Sequence, residues 1–266
     1  MNIIYKSFFI ISAITLLSLS GCSWLPDQID ETKDWSATQI YQKAHSAMKS
    51  EDYESAIKYF ELLEARYPFG RYAQQAQIEV AYTYYKYDEP DLAMSAADRF
   101  IRLHPRHPNV DYMLYLKGII NFHRDSSFMD RFFARDPSSR DPGAARQSFF
   151  DFKTLTTRFP ESTYSEDAKK RMLYLRNNLA QHEVNVANFN IRRHAYIAAV
   201  NRTKYVVENY DRSTAMPEAL ATMAIAYDYL EMNDLAEDVR RVLKQNYPDY
   251  SGQIRAFRKK AWWQIF

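Results

Sequence analysis

The amino-acid sequence predicts an all-α solenoid of paired helices, and three observations support this prediction. Apolar residues recur at the helical period of about 3.6 rather than at the period of about 2 that strands show. Glycines are few, five in 266 residues, and a set of small, aromatic and proline residues recurs after 37 residues. The set is Ala44, Tyr53, Ala56, Phe60 and Pro68 in its first copy, and Ala81, Pro90, Ala93, Ala97 and Pro105 in its second.

Each copy of this set predicts two antiparallel helices, A and B, that are joined by a tight turn. Ala44 and Ala56 let the two backbones approach where the helices cross, while Tyr53 and Phe60 fill the space beside the crossing. Pro68 ends helix B because proline cannot continue a helix. A period near ~34 residues is typical of tetratricopeptide repeats. Such pairs must stack, since one pair cannot bury its own apolar face.

Five units follow from the same spacing, so we expect a right-handed superhelical solenoid of about five tetratricopeptide-like helix pairs, with helices A on its concave face. Helix B of these units ends at Pro68, Pro105, Pro160, Asp211 and Pro248. The third unit carries an insert between its helices, Arg124 to Pro142, and the fourth has a long helix A, from about Ser165 to Phe189. We expect a repeat domain at 36–249, with N-terminal repeats at about 36–123 and C-terminal repeats at about 143–249.

Between the first two units, Gly70 is predicted to take a positive-φ turn position after Pro68. Helices A of the second and third units are rich in tyrosine, including Tyr82, Tyr84, Tyr85 and Tyr112. Tyrosine offers wide contact area with a polar end and is common at interfaces, so these side chains are candidates for partner contact. The alternative is that most of them pack between repeats.

The first 21 residues have the pattern of an export signal. Lys6 precedes an apolar run, Phe8 to Leu19, that is too short to span a bilayer. Leu19-Ser20-Gly21-Cys22 is similar to a bacterial lipobox, in which the cysteine is acylated and becomes the first mature residue. Cys22 is the only cysteine, so the alternative is a free or buried thiol. Several acyl chains would make a lasting membrane anchor, and 22–35 would form an extended tether.

Charge and motifs argue against nucleic-acid binding and catalysis. Without Lys6 the chain has 34 basic and 33 acidic residues, so bulk charge does not favour nucleic acid. The sequence has no glycine-rich phosphate loop and no cluster of metal-ligating residues. His104 and His107 are three apart, but each precedes a proline and no further ligand is evident. We therefore predict no enzyme activity, no cofactor and no metal, although a Ser/His/Asp site from distant positions stays open.

The last residues, 250–266, form a basic aromatic tail. From Gln253 to Phe266 there are four basic and no acidic residues. This segment has two interpretations. It either caps the apolar end of the solenoid, because terminal repeats need a cover, or lies on an anionic membrane surface or partner.

Several sequence runs resemble one lipoprotein family. They are Arg66–Gly70 (Arg-Tyr-Pro-Phe-Gly), Ala81–Lys86, Arg99–Leu103, His107–Tyr112 and Arg140–Pro142. With the lipobox and five repeats, these runs are similar to the BamD family of the outer-membrane β-barrel assembly (BAM) machinery, up to about Asp249. The resemblance implies a lipid-anchored scaffold on the periplasmic face of the outer membrane. Its implied partners are the POTRA region of BamA, other BAM lipoproteins and unfolded barrel proteins.

The resemblance also implies two binding sites. The C-terminal repeats would bind BamA, and the family's Val-Asn-Arg run is matched here by Val200-Asn201-Arg202. Asn201 and Arg202 are the candidate contacts, with Arg202 as ion-pair donor to a POTRA carboxylate, because a planar guanidinium suits such a group. The alternative for Arg202 is a solvated helix charge, which contributes ~0–1 kcal/mol.

The N-terminal repeats would bind the C-terminal segment of barrel substrates, which in this machinery ends in an aromatic residue with a free carboxylate. Aromatic walls beside a guanidinium would suit both groups. The candidate residues are Tyr67, Phe69, Tyr72, Tyr84, Tyr85 and Arg102. Two other functions stay open: a repeat lipoprotein that scaffolds cell-wall (murein) enzymes, and an enzyme-regulating lipoprotein whose insert reaches into a partner's site.

Overall fold

The computed structural model describes residues 32–124, 138 and 141–252. The signal segment, Cys22, most of the tether, most of the insert and the segment from Gln253 to Phe266 lie outside these ranges. The described α-helices are α1 (Ala37–Lys49), α2 (Tyr53–Arg66), α3 (Arg71–Lys86), α4 (Pro90–Leu103), α5 (Val110–His123), α6 (Gly143–Arg158), α7 (Ser165–Arg192), α8 (Tyr196–Asn209), α9 (Met216–Tyr229) and α10 (Asn233–Asn246). Within the described ranges, no helix combines the length and apolar character needed to span a bilayer.

The helices form five consecutive pairs, α1 with α2 through α9 with α10. Each helix packs mainly on the helices before and after it in the chain. Helices A also contact each other, α1 with α3, α3 with α5 and α7 with α9. This arrangement confirms the predicted all-α solenoid of five helix pairs. The long helix A of the fourth pair is also present, and it extends beyond the predicted Phe189 to Arg192.

Small residues occupy the helix crossings of four pairs and are completely buried. They are Ala44 and Ala56, Ala81 and Ala93, Ala187 and Ala199, and Ala224 and Ala236, each with 0% exposure. In the third pair Gly118 and Ser148 take these places, and Ser148 Oγ donates to the Gly118 carbonyl O over 2.8 Å. Beside the first crossing, Phe60 is 1% exposed, and burial of such a side chain contributes about 1.5–3 kcal/mol.

The turns from helix A to helix B share a backbone feature that is independent of glycine. In four pairs the turn residue is left-handed, namely Glu51, Asp88, His194 and Glu231, with φ of 62°, 61°, 61° and 60°. The next amide closes the turn, as where Asp52 N donates to Ala47 O over 3.0 Å. This hydrogen bond offsets the cost of the left-handed conformation, roughly 1–2 kcal/mol for a residue other than glycine. Gly70 has φ 97°, which confirms the positive-φ prediction.

A partly buried ionic cluster joins the second and third pairs. Lys117 Nζ of α5 lies 2.8 Å from Asp98 Oδ1 of α4 and 3.3 Å from Asp151 Oδ1 of α6. Asn121 Nδ2 also donates to Asp151 Oδ2 over 3.1 Å. Burial raises the pKa of the Asp151 carboxyl even though Lys117 opposes the shift. The cluster therefore fixes three helices against each other at the cost of desolvating the Asp151 carboxylate and the Lys117 ammonium, while the Asp98 side chain stays 41% exposed.

The close contact at Gly118 gives a stability prediction. A Cβ at this position would overlap the Phe152 ring, so Gly118→Ala should destabilise the chain by about 1–3 kcal/mol in urea unfolding. Gly143→Ala is the matched control, because its nearest neighbour, Asp141 Oδ2 at 3.3 Å, belongs to an exposed side chain that can move. Equal unfolding free energies for the two variants would contradict the tight crossing of α5 and α6.

Candidate functional site

A surface groove of about 520 Å³ lies between α2 and α4, in the N-terminal repeats. Its lining residues are Glu61, Glu64, Ala65, Pro68, Gln77, Arg99 and Leu103. Gln77, which is buried, comes from α3. The groove is therefore the seam where helix B of the first pair meets helix B of the second, with helix A of the second pair beneath.

Hydrogen bonds between side chains of the lining fix the shape of the groove. Arg99 Nη1 and Nη2 donate to the two carboxylate oxygens of Glu64 over 2.7 and 2.8 Å. Gln77 Nε2 also donates to Glu64 over 3.1 Å, and His104 Nε2 lies 2.9 Å from Gln77 Oε1. Since this two-point ion pair occupies the Arg99 guanidinium, Arg99 is a structural member of the groove rather than a free cation.

Tyr84 reaches the groove from α3. Its hydroxyl donates to Glu61 Oε1. Burial and this hydrogen bond raise the pKa of Tyr84 to about 12, so the side chain stays neutral in the physiological range. Glu61 and Tyr84 together present a polar ridge beside the apolar Ala65 and Leu103, and Leu103 is 58% exposed.

The structure brings three of the six predicted substrate residues close to this groove. Phe69 is 90% exposed and directly follows Pro68 of the lining. Arg102 is exposed and directly precedes Leu103. Phe69 and Arg102 are therefore exposed chain neighbours of lining residues, and Tyr84 contacts the lining through Glu61.

The other three predicted residues take part in packing contacts. Tyr67 Oη donates to the Trp35 carbonyl O over 2.9 Å. The ring of Tyr72 packs on Tyr41 of α1, with ring centroids 5.3 Å apart. Tyr85 Oη lies 3.0 Å from His123 Nδ1 of α5, and burial raises the pKa of Tyr85. These contacts agree with the interpretation of the tyrosines as inter-helix packing, and a substrate role for the three stays a prediction.

The histidine pair beside the groove also has packing partners. The rings of His104 and His107 both lie with their centroids 5.1 Å from that of Phe100. Burial, followed by the neighbouring His104, lowers the pKa of His107. Both imidazoles therefore pack on Phe100 at the end of α4.

A second candidate site surrounds Glu183 in the C-terminal repeats. The Glu183 side chain is only 1% exposed, and each of its oxygens accepts from an arginine: Arg146 Nη2 over 2.8 Å and Arg202 Nη1 over 2.9 Å. Both arginines are about half exposed, 47% and 50%. One buried carboxylate is thus held by two guanidinium groups, which leaves a net positive cluster with donors that face solvent.

The two residues predicted to contact BamA, Asn201 and Arg202, differ in their surroundings at this site. Asn201 is exposed on α8, directly before Arg202. Arg202 is not a fully solvated charge, because it already bonds Glu183. The sequence interpretation missed Arg146 and Glu183. The sequence contains a signal that could have identified Glu183 as a buried charge. Glu183 lies between Ala180 and Val184, at a spacing that puts all three on the buried face of α7.

Comparisons with known proteins identify the family. A family model described as "YfiO: Outer membrane lipoprotein" matches residues 33–243. The chain belongs to this family. A relative named "Outer membrane protein assembly factor BamD" from Neisseria meningitidis is 41% identical over 94% of this chain and 96% of the relative.

Two further relatives carry the same printed name. BamD of Xylella fastidiosa is 43% identical over 79% of this chain and 72% of its own length. BamD of Vibrio cholerae is 38% identical over 88% of this chain and 95% of its own length. Among solved structures, a crystal structure of MamA covers 81% of this chain and 95% of its own at a TM-score of 0.34 and 11% identity, too distant to support a conclusion. The BamD relatives span both candidate sites.

The Glu183 cluster gives a second stability prediction. Glu183→Gln keeps the shape but leaves one oxygen that can accept from only one arginine, while its amide NH2 faces the donors of the other, so unfolding in urea should require about 1–3 kcal/mol less free energy. Arg202→Ala should then cost less in the Glu183→Gln background than in the unmodified chain. The control is Glu208→Gln, an exposed partner of Lys204 at 3.7 Å, with an effect of about 0.5 kcal/mol or less. Purely additive effects of Glu183→Gln and Arg202→Ala would contradict the cluster.

Proposed function

We propose that this chain is a non-enzymatic scaffold for outer-membrane protein assembly, as the printed name of its BamD relatives suggests. The observation that carries the proposal is the similarity to these relatives, which reaches 41% identity over 94% of the chain. The solenoid supports it further, because stacked helix pairs offer extended surfaces for several partners at once. Acylation of Cys22 would hold the scaffold on the periplasmic face of the outer membrane, with 22–35 as tether.

In this proposal the C-terminal repeats bind the POTRA region of BamA. Arg202 and Asn201 make the contact, and the geometry around Glu183 supports them. Arg202 uses one guanidinium nitrogen on Glu183 and keeps solvent-facing donors for a second carboxylate. Arg146, half exposed on the other side of Glu183, adds positive charge. A POTRA carboxylate would therefore meet two cations fixed by one buried anion, which lowers the entropy lost on binding.

The N-terminal repeats receive the C-terminal segment of unfolded barrel proteins in the groove between α2 and α4. Phe69 and Leu103 supply exposed apolar surface, and Arg102, for which the described residues provide no ion-pair partner, meets the terminal carboxylate. Glu61 lies on the far side of the groove and disfavours a carboxylate there. This polarity orients the segment with its terminus at Arg102.

The BamA contact is tested by detergent pull-down of the acylated chain with BamA. Arg202→Ala should reduce recovery of BamA at least tenfold, and Asn201→Ala should reduce it severalfold. Because Arg202→Ala also releases Glu183, unfolding free energies are measured for every variant. Lys204→Ala, on the same helix and 62% exposed in its side chain, is the matched control and should retain BamA. Full recovery with a folded Arg202→Ala chain would contradict the assignment, as would murein synthases recovered in place of BamA.

The substrate contact is tested with a photo-crosslinking amino acid at position 69 or 102. Both sites should capture a peptide that ends in an aromatic residue with a free carboxylate, and amidation of that carboxylate should weaken capture at 69, where the Arg102 guanidinium is intact. A crosslinker at Leu173 of α7, which is 52% exposed, is the control and should capture little. Equal capture at all three positions, or none at 69 and 102, would remove the substrate role of the groove.

A further inference from the structure

The turn between α7 and α8, residues 193–195, differs from the equivalent turns of three other pairs. In the first, second and fifth pairs two exposed positions are acidic, namely the left-handed turn residue and the second residue of helix B. These residues are Glu51 and Glu54, Asp88 and Asp91, and Glu231 and Asp234. In the fourth pair the same two positions hold His194 and Ile197. This turn therefore lacks both acidic residues that its counterparts share.

The replacement at Ile197 removes a stabilising charge from the start of α8. Acidic side chains in the first turn of a helix interact favourably with the helix dipole, and α8 has none there. Ile197 is 67% exposed, so the substitution gains little burial in return. A position that gives up local stability without packing is typical of a functional surface.

Two arginines beside this turn hold their guanidinium groups near one exposed ring. The Cζ atoms of Arg192 and Arg193 lie 5.9 and 5.5 Å from the centroid of the Phe189 ring, and Phe189 is 47% exposed. Within the part of the chain that the structure describes, neither arginine pairs with a carboxylate. Since a ring contact uses none of the usual hydrogen bonds of a guanidinium, the N–H donors of both groups stay available for an anion.

Neighbouring contacts give the turn a fixed shape. Tyr196, which follows the turn, stacks on Tyr229 of α9 with ring centroids 4.5 Å apart and an interplanar angle of 6°. Tyr196 Oη also lies 2.8 Å from His194 Nδ1, and Ala195 N donates to Asn190 O over 2.9 Å. The backbone that carries the two arginines is therefore already ordered, which reduces the entropy lost on binding.

Two cations beside two exposed apolar side chains suit the surface of an anionic bilayer. Guanidinium groups bind phosphate oxygens well, and side chains such as Phe189 and Ile197 favour the boundary between headgroups and acyl chains. A protein partner fits less well, because a stable interface buries about 800 Å² on each side. The adjacent turn of the fifth pair, with Glu231 and Asp234, restricts the basic surface to a smaller area than that.

We propose that the turn between α7 and α8 is a membrane-contact surface, at which Arg192 and Arg193 bind lipid phosphate groups and Phe189 and Ile197 enter the interface beside them. This proposal rests on the proposed location at the outer membrane, but not on the BamA or substrate contacts. A single attachment point at the N-terminal end does not set the direction of the repeats, whereas a second contact in the fourth pair does.

Vesicle flotation tests this surface with the chain 22–266, in which Cys22→Ser ensures that no acyl chain contributes. Arg192→Glu/Arg193→Glu should reduce flotation with phosphatidylglycerol vesicles about fivefold or more, because each basic residue near an anionic surface strengthens binding severalfold. The matched control is Lys49→Glu/Lys86→Glu, which makes the same charge change at the exposed positions equivalent to Arg192 in the first two pairs. The control should float like the unmodified chain, and equal flotation of the two double variants would overturn the proposal.

Ile197→Asp separates membrane contact from a role in folding. It introduces the acidic residue that the other three turns have at this position, so the urea midpoint should stay the same or rise. Flotation with phosphatidylglycerol vesicles should nevertheless fall about threefold or more. A lower urea midpoint together with unchanged flotation would show that Ile197 is a packing residue and would overturn the proposal.

A fluorescent label identifies the ligand. In the Cys22→Ser chain, a nitrobenzoxadiazole group on Ile197→Cys should brighten with phosphatidylglycerol vesicles, because its emission rises when it leaves water. The same label on Glu54→Cys, the equivalent position in the first pair, should not respond. Brightening at 197 with the periplasmic region of BamA but not with vesicles would overturn the proposal in favour of a protein partner. An equal response to inorganic phosphate would overturn it in favour of a simple anion site.

Discussion

The close approach of two helices at small residues is the constraint on which the rest of the structure depends. At the crossings of four pairs the two contacting alanines have no exposed surface, so the backbones themselves set the distance between the helices. A pair built in this way is narrow and leaves an apolar flank on each side. Stacking is then unavoidable, since each flank must be covered by the next pair.

Once the crossings fix the helices, the seams between pairs are free to differ. The Glu64–Arg99 ion pair, the Lys117 cluster and the Arg146–Glu183–Arg202 cluster all lie at seams. Each pairs a carboxylate of low exposure, Glu64, Asp151 or Glu183, with a basic group of a neighbouring helix. Such clusters contribute little net stability compared with apolar packing, but they specify which surfaces meet and leave charged edges exposed. Both candidate binding sites arise from these edges.

The sequence predicted what depends on local spacing. The 37-residue recurrence located the alanines of the crossings and the ends of helices B, and the turn after Pro68 predicted the positive φ of Gly70. It did not reveal the crossing at Gly118, because that unit is interrupted by an insert and has Ser148 where others have alanine. Nor did it reveal the left-handed turn residues, since glutamate, aspartate and histidine at these positions have no shared side-chain signature.

The site residues were harder to predict because their contacts join distant parts of the chain. Glu183 meets Arg146 and Arg202, which are 37 and 19 residues away, and no local pattern encodes such a triad. Of the six predicted substrate residues, Phe69, Tyr84 and Arg102 lie at one groove, while Tyr67, Tyr72 and Tyr85 are used in packing. Composition marked the tyrosines as unusual, but only the packing of neighbouring helices separates those that pack from those that reach a surface.

In the proposed function the two ends of the solenoid serve different partners, and hydrogen–deuterium exchange tests this most directly. Exchange is measured on the acylated chain alone, with the periplasmic region of BamA, and with a peptide that ends in an aromatic residue. The account predicts that BamA slows exchange around α8 and leaves α2 and α4 unchanged, while the peptide slows exchange around α2 and α4 only. Protection of the same helices by both partners would contradict it.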